Sequence, residues 1–301
     1  MKIIGLDLGG TFIKCGLLNE KGEISSRWKI ASPTASLEDL LTALDECVKD
    51  HLADADGIAI SMPGKIDVRK GIACTGGSYK WIVDLNIMEI LEERYHVPVS
   101  VDNDGKCAAN AEAWIGALKD VPNGLVYVLG TGIGGGIVLD HQVIHGSHMA
   151  AGELSGCVVN HKDAYSFDNL AALTGSTNSL LGQYLHKSGR KEPIDGIEFL
   201  HLVREGDSTA LSVFQDFCQF TANFFFTLQT ILDVDRIAIG GGISEEPMVI
   251  EGIRKATHAV MNYEGPFPLP AVEPEIVKCQ FGNDANLIGA VRNFIDTKVR
   301  R

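Results

Sequence analysis

Two acidic residues stand where a strand pattern gives way to something else. Asp7 lies two residues ahead of Gly9-Gly10-Thr11, and Asp104 follows the strand pattern over 98–102 and precedes an alanine-rich helix pattern over 105–117. A carboxylate at a strand end beside glycine-rich backbone suits magnesium, which takes one or two carboxylates and completes its shell with phosphate oxygens and water. Bare glycine tips present successive backbone N–H groups as a concavity that receives anions. Three tips occur: Gly9-Gly10-Thr11, Gly130-Thr131-Gly132-Ile133-Gly134-Gly135 and Gly240-Gly241-Gly242. Each alone is a weak signal, balanced by an ordinary structural turn; together with the acids they point to phosphate and a divalent cation. For Asp104 the plain alternative is a helix cap. Asp102 and Asn103 can cap the same helix end, so capping alone explains the run of three poorly. Lys14 either reaches a phosphate or points to solvent.

The elements that must carry these residues read as alternating strands and helices. The runs 1–9 and 13–18 form a hairpin around the first tip, and 124–129 and 136–140 flank the second. Gly130-x-Gly132-x-x-Gly135 matches the dinucleotide fingerprint letter for letter, but that motif requires a helix next and here a strand follows. No G-x-x-x-x-G-K-[ST] sequence occurs, which excludes a P-loop. Helical spacing predicts helices from Ser36 to about 51, at about 86–94, near 168–184, 196–204 and 208–232, after Ser244, and over 284–298. Because 3–18 and 125–140 are both strand, glycine tip, strand with a threonine in the tip, a duplicated α/β architecture with a cleft between halves is expected.

Composition narrows the partners. The 301 residues carry 39 acidic against 26 basic side chains, a net charge of −13, with no long basic block, so neither nucleic acid nor an anionic membrane is an expected partner. No apolar run reaches the roughly 18 residues of a membrane span. Seven cysteines lie far apart without a C-x-x-C pair, which points to reduced thiols and a cytoplasmic setting. The strand pattern begins at Ile3, so neither a signal peptide nor a preceding DNA-reading domain is expected. His145 and His148 have the spacing of a ligand pair but lack further partners, and phenylalanines 214, 217, 220 and 224–226 fall on one helix at core spacing.

Asp7-Leu8-Gly9-Gly10-Thr11, Asn103-Asp104-Gly105, Gly130-Thr131-Gly132-Ile133-Gly134-Gly135-Gly136, Gly152-Glu153, Gly240-Gly241-Gly242-Ile243-Ser244 and Gly282-Asn283-Asp284-Ala285-Asn286-Leu287-Ile288-Gly289-Ala290 together resemble the ROK family of bacterial sugar kinases and repressors. The resemblance implies a two-lobed actin/hexokinase-like α/β fold with a central cleft, one lobe being 1–104 plus about 285–301 and the other 105–284. It implies an ATP- and Mg2+-dependent kinase of a small sugar that closes on its substrate about hinges near 104–106 and 284–288. Asp104 then matches the catalytic base, and Gly64, Gly77, Asn103, Asp104, Glu153 and Asp168 the sugar side. Asp7, which would hold Mg2+ through water, joins Gly9, Gly10, Thr11 and Lys14 as the first phosphate loop. Gly130, Thr131, Gly132, Gly134 and Gly135 correspond to the second loop, and Gly241 and Gly242 to the adenosine pocket. Family habit and the phenylalanine stripe imply a homodimer through 208–232. A sugar sensor of the same fold, or a chaperone-like ATPase, remains as the competing class.

The sequence departs from the family at two places. The family pattern E-x-G-H reads Glu153-Leu154-Ser155-Gly156, and the cysteine-rich zinc loop is replaced by 157–170, with Cys157 alone and His161 unpaired. Zinc needs about four N or S ligands for a structural site, so none is expected. Asp168 aligns with a glutamate that is one methylene longer. In the family that histidine and glutamate crowd the anomeric end of the sugar. Their loss implies phosphorylation of glucose and of β-glucosides substituted at C1, with N-acetylmannosamine as the alternative substrate.

Overall fold

A computed structural model describes residues 1–160, 166–265 and 271–299. In chain order the elements are β1 (Ile3–Leu8), β2 (Phe12–Leu18), β3 (Ile24–Ala31), α1 (Leu37–Val48), β4 (Gly57–Met62), β5 (Ile66–Asp67), β6 (Ile72–Thr75), β7 (Val83–Asn86), α2 (Ile87–Tyr95), β8 (Val99–Asn103) and α3 (Asp104–Trp114). There follow β9 (Gly124–Leu129), β10 (Ile133–Leu139), β11 (Gln142–Val143), α4 (Ala171–Gly175), α5 (Thr177–Ser188), α6 (Gly196–Glu205), α7 (Ser208–Leu232), β12 (Arg236–Gly240), α8 (Pro247–Met261), β13 (Glu275–Lys278) and α9 (Ala285–Phe294). The α/β class expected from the sequence is the one adopted.

The chain packs as two compact units, 1–120 with 136–152 and 283–301, and 121–135 with 153–282. In the first unit one sheet runs β3-β2-β1-β4-β8, antiparallel across β1, β2 and β3 and parallel from β1 through β4 to β8. Every residue of β1 and β4 is buried, as continuous apolar runs require when both faces are covered, whereas the edge strand β3 alternates. Ser36 caps α1 by accepting from the Asp39 N–H at 3.1 Å, and Leu40, Leu44 and Val48 go into the core. A small sheet β5-β6-β7 adds strands of two to four residues, too short for periodicity to reveal.

In the second unit β9, β12 and β13 lie parallel. Phe214, Phe217, Phe224 and Phe225 of α7 are buried within it, the core placement that their spacing predicts. The single helix expected near 168–184 is two, α4 and α5. Gly175 lies against the Phe220 ring, and Ser176 turns extended to cap α5 through the Ser179 N–H at 3.1 Å.

The expected division, 1–104 with about 285–301 against 105–284, differs from this packing. Residues 105–120 and 136–152 belong to the first unit because α3 lies directly on α9: a Cβ on Gly289 would sit 1.7 Å from the Cys107 carbonyl oxygen. A Cβ on Gly136 would likewise lie 2.6 Å from the Ala109 Cβ. The long helix-rich stretch hides this, since the glycines that permit contact are far apart in sequence.

That contact predicts a contrast between two glycines. Gly289→Ala should destabilise the protein by about 3 kcal/mol or more, because the clash is with backbone. Gly182→Ala, in α5 with nothing within 4 Å of the added Cβ, should stabilise it by roughly 0.5–1 kcal/mol. Urea unfolding of both variants checks the signs.

Candidate active site

The first group of candidate residues gathers at the ends of β1, β4 and β8. Asp7 is 5% exposed, and its Oδ1 accepts from Ser61 Oγ on β4 at 3.0 Å and from Asn286 Nδ2 on α9 at 3.0 Å. Its Oδ2 lies 3.8 Å from Lys14 Nζ, which also donates to Asn283 Oδ1 at 3.2 Å. Burial outweighs these stabilising contacts and holds the Asp7 carboxyl above its ordinary range; the Asn286 and Ser61 hydrogen bonds and Lys14 pull it down. Beyond Asp7, Gly10 and Thr11 form an exposed tip, while Tyr79 Oη donates to the Gly9 carbonyl at 3.1 Å. Lys14 is thus turned to the acid at the strand end rather than simply into solvent.

At the end of β8 the run Asp102-Asn103-Asp104 divides its tasks. Asn103 is the helix cap, its side chain accepting from the Lys106 N–H at 3.1 Å. Its amide nitrogen donates to the Gly64 carbonyl at 2.9 Å and to Asp104 Oδ1 at 3.0 Å. Asp104 Oδ1 also accepts from the Gly105 N–H at 2.8 Å, so the carboxyl of this half-buried residue is fixed from two sides. Gly64, at φ +103°, leaves no room for a side chain, since a Cβ would stand 2.2 Å from the Thr75 carbonyl oxygen; Gly77 packs on Pro63. Asp102 is fully buried, accepts from the Asn103 N–H at 2.8 Å, and faces His145 Nε2 at 3.0 and 2.9 Å. His145 therefore anchors the strand end, and among the described residues no group of three metal-ligating side chains forms around it or elsewhere.

The second unit holds the other group. The tip of the β9–β10 hairpin is closed by the Gly130 N–H donating to the Gly132 carbonyl at 3.0 Å. Ser155 clamps it, accepting from the Ile133 N–H and donating to the Ile133 carbonyl, both at 2.9 Å. Thr131 and Gly134 are exposed on this tip, and Gly135 is buried. A cavity of about 360 Å³ beside it is lined by Gly130, Thr177, Ile197, Leu200, Gly242 and Ile243. Gly241, at φ +96°, must be glycine there, because a Cβ would lie 1.9 Å from the Leu129 carbonyl oxygen. Thr177 donates its N–H to the Gly130 carbonyl at 3.1 Å, while its buried hydroxyl has no hydrogen-bond partner among the described residues. Apolar walls, an unpaired hydroxyl and glycine backbone suit a nucleoside with phosphates at the tip.

Glu153 and Asp168 are exposed in the same unit. A short ladder ties their segments together, the Ala171 N–H donating to the Cys157 carbonyl and the Val159 N–H to the Asn169 carbonyl, both at 2.8 Å. His161 lies outside the described residues. Gly156 has open space where a Cβ would project. The hard carboxylate Asp7, whose two hydrogen-bond donors both engage Oδ1, suits a hydrated magnesium ion. Reasoning from sequence missed Ser61, Tyr79, Thr177 and the Asp102–His145 pair. Asn286 stood in a quoted motif without a role.

The family model described as "ROK family" matches residues 3–296. A β-glucoside kinase of Klebsiella pneumoniae is 30% identical over 304 residues, covering 98% of this chain and 96% of that protein. Among solved structures, a ROK family protein from Streptococcus pneumoniae TIGR4 in complex with sucrose aligns with a TM-score of 0.90 at 28% identity, covering 100% of both chains. A Listeria monocytogenes protein described as a "putative N-acetylmannosamine kinase" aligns with a TM-score of 0.88 at 28% identity, covering 98% of this chain and 99% of that one.

The environment of Asp7 predicts a trade of stability against ligand binding. A carboxyl whose folded pKa is raised costs stability at pH values above that pKa, and the cost disappears as falling pH protonates it. Asp7→Asn should therefore melt at the same or a higher temperature than the parent at neutral pH. It should also lose most of the rise in melting temperature that Mg2+ and ADP together give the parent.

Proposed function

The chain belongs to the ROK family, has the actin/hexokinase-like α/β fold and is a sugar kinase; we propose that it transfers the terminal phosphoryl group of ATP to the 6-hydroxyl of glucose and of β-glucosides. One observation carries the catalytic assignment: Asn103, not Asp104, caps α3, and Asp104 is anchored at the helix start by the Gly105 N–H and the Asn103 amide. A carboxylate so fixed accepts the proton of the sugar hydroxyl as the oxygen attacks phosphorus. Phosphoryl transfer asks the protein mainly for alignment and charge stabilisation.

In this reading the backbone N–H groups of Gly9, Gly10 and Thr11 and of Gly130, Thr131, Gly132, Gly134 and Gly135 receive phosphate oxygens. Gly241 and Gly242 border the adenosine. Asp7 holds hydrated Mg2+, which when bound offsets the charge of the phosphates. Lys14 balances Asp7 and the phosphate loop. Asn103, Glu153 and Asp168 hold the remaining sugar hydroxyls, with Gly64 and Gly77 shaping the turn beneath them. The protein works as a homodimer in the cytoplasm without zinc, a setting supported by the family resemblance and by seven cysteines that form no disulfide among the described residues.

The sugar assignment is supported by Gly156. The open space at its Cβ position is where the family's histidine would project, so the ring's volume and its hydrogen bond are both missing. A site lacking such a group discriminates less against a substrate whose partner hydroxyl is masked. The likeness to a β-glucoside kinase agrees, as does the sucrose complex of a similar protein, since sucrose carries its glucosyl unit substituted at C1. N-acetylmannosamine is the second reading, favoured by the Listeria relative.

Two variants test this function. Asp104→Asn should keep its melting temperature and lose about 10²–10⁴-fold in kcat; turnover near the parent rate would refute the base. Gly156→His should shift the ratio of kcat/KM for cellobiose over glucose downward by about tenfold or more, because it refills the space beside C1. An unchanged ratio would count against the open-pocket explanation.

A further inference from the structure

We propose that the first unit carries a second ligand site, a cavity among α3, α9 and the β10–β11 hairpin, and that it binds a small phosphorylated polyol of hexose-phosphate size. The cavity measures about 690 Å³, within the roughly 300–1,000 Å³ typical of small-molecule sites. None of the residues assigned above to phosphate, metal or sugar lines it.

Its walls select charge and shape together. On a chain with a net charge of −13, the lining brings together Lys119, Arg292, His141 and His145. The carboxylate in the lining, Asp296, accepts from Arg292 Nε at 2.7 Å, which orients the guanidinium and leaves its two terminal nitrogens without a partner among the described residues. The same guanidinium lies 5.5 Å from the centre of the Trp114 ring, a second constraint on its position. Lys119 is exposed and forms no ion pair among the described residues. A guanidinium with two open donors beside an ammonium matches the oxygens of a phosphate monoester.

The amides of Asn110 and Gln142 also line the cavity without side-chain partners among the described residues, and an amide offers both donor and acceptor. Such groups suit hydroxyls, and the indole of Trp114 offers apolar surface to the carbon face of a polyol. Inorganic phosphate would satisfy the cations but leave the amides and the indole without contacts. His145 stands in the same wall while it holds buried Asp102, so an occupant touches the residue that anchors the end of β8.

This inference goes beyond the catalytic reading, and the two fail separately, since Asp104→Asn leaves the cavity untouched. Calorimetric titration of the full chain with glucose 6-phosphate, in saturating glucose, should show one saturable site. Lys119→Glu and Gln142→Glu, both at exposed positions, should each weaken it about tenfold or more while melting like the parent. Orthophosphate should bind more weakly than the sugar phosphate. Tryptophan fluorescence should change on titration in the parent and not in Trp114→Phe, although Trp28 and Trp81 remain. No saturation into the tens of millimolar, equal affinity in both glutamate variants, or a fluorescence response that persists in Trp114→Phe would each overturn the proposal.

Discussion

The first unit is organised around one buried carboxylate at the end of a strand. An isolated carboxylate in an apolar environment neutralises rather than remain ionised. Asp7 is held by donors from two other elements, Ser61 at the end of β4 and Asn286 at the start of α9, with Lys14 across the hairpin. Those contacts fix β1, β4 and α9 relative to one another. They explain why residues 279 positions apart, Asp7 and Asn286, lie in one unit. The residual penalty of burial is a cost in stability that makes sense only if the carboxylate is used.

The second unit meets a related problem with different groups. Its hairpin repeats the strand, glycine tip, strand pattern, yet no acid stands at the Asp7 position; the tip is stiffened by Ser155 instead. One hairpin thus offers a cation-holding oxygen with anion-receiving backbone, and the other offers only the backbone. The apolar cavity beside the second tip, with a Thr177 hydroxyl that has no partner among the described residues, extends that backbone surface. Duplication of a local motif has left room for division of labour.

Much of this was legible in the sequence, for reasons that differ by residue. Asp7, Asp104 and the glycine tips were visible because their signals are local: an acid at a strand end, glycines in a turn. The strict run Asn103-Asp104 was readable as more than a cap, and the cap proved to be Asn103. The Asp102–His145 pair was hidden because its members are 43 positions apart and each has an ordinary local explanation. The packing of α3 on α9 was hidden because helix–helix contact at Gly289 is a tertiary fact with no local mark. The break between α4 and α5 escaped because it is imposed by a phenylalanine from another helix, Phe220.

The central claim is chemical: a carboxylate at the head of α3 directs ATP's phosphoryl group to a primary hydroxyl of a sugar whose C1 oxygen is masked. The most direct measurement identifies the phosphorylated atom. The wild-type chain would be incubated with ATP, Mg2+ and cellobiose, and the product assigned by phosphorus–proton correlation NMR. The account predicts a single phosphomonoester on C6 of the non-reducing glucosyl ring, formed in step with ADP. ADP release without a sugar phosphate, or phosphate on any oxygen other than that at C6, would contradict it.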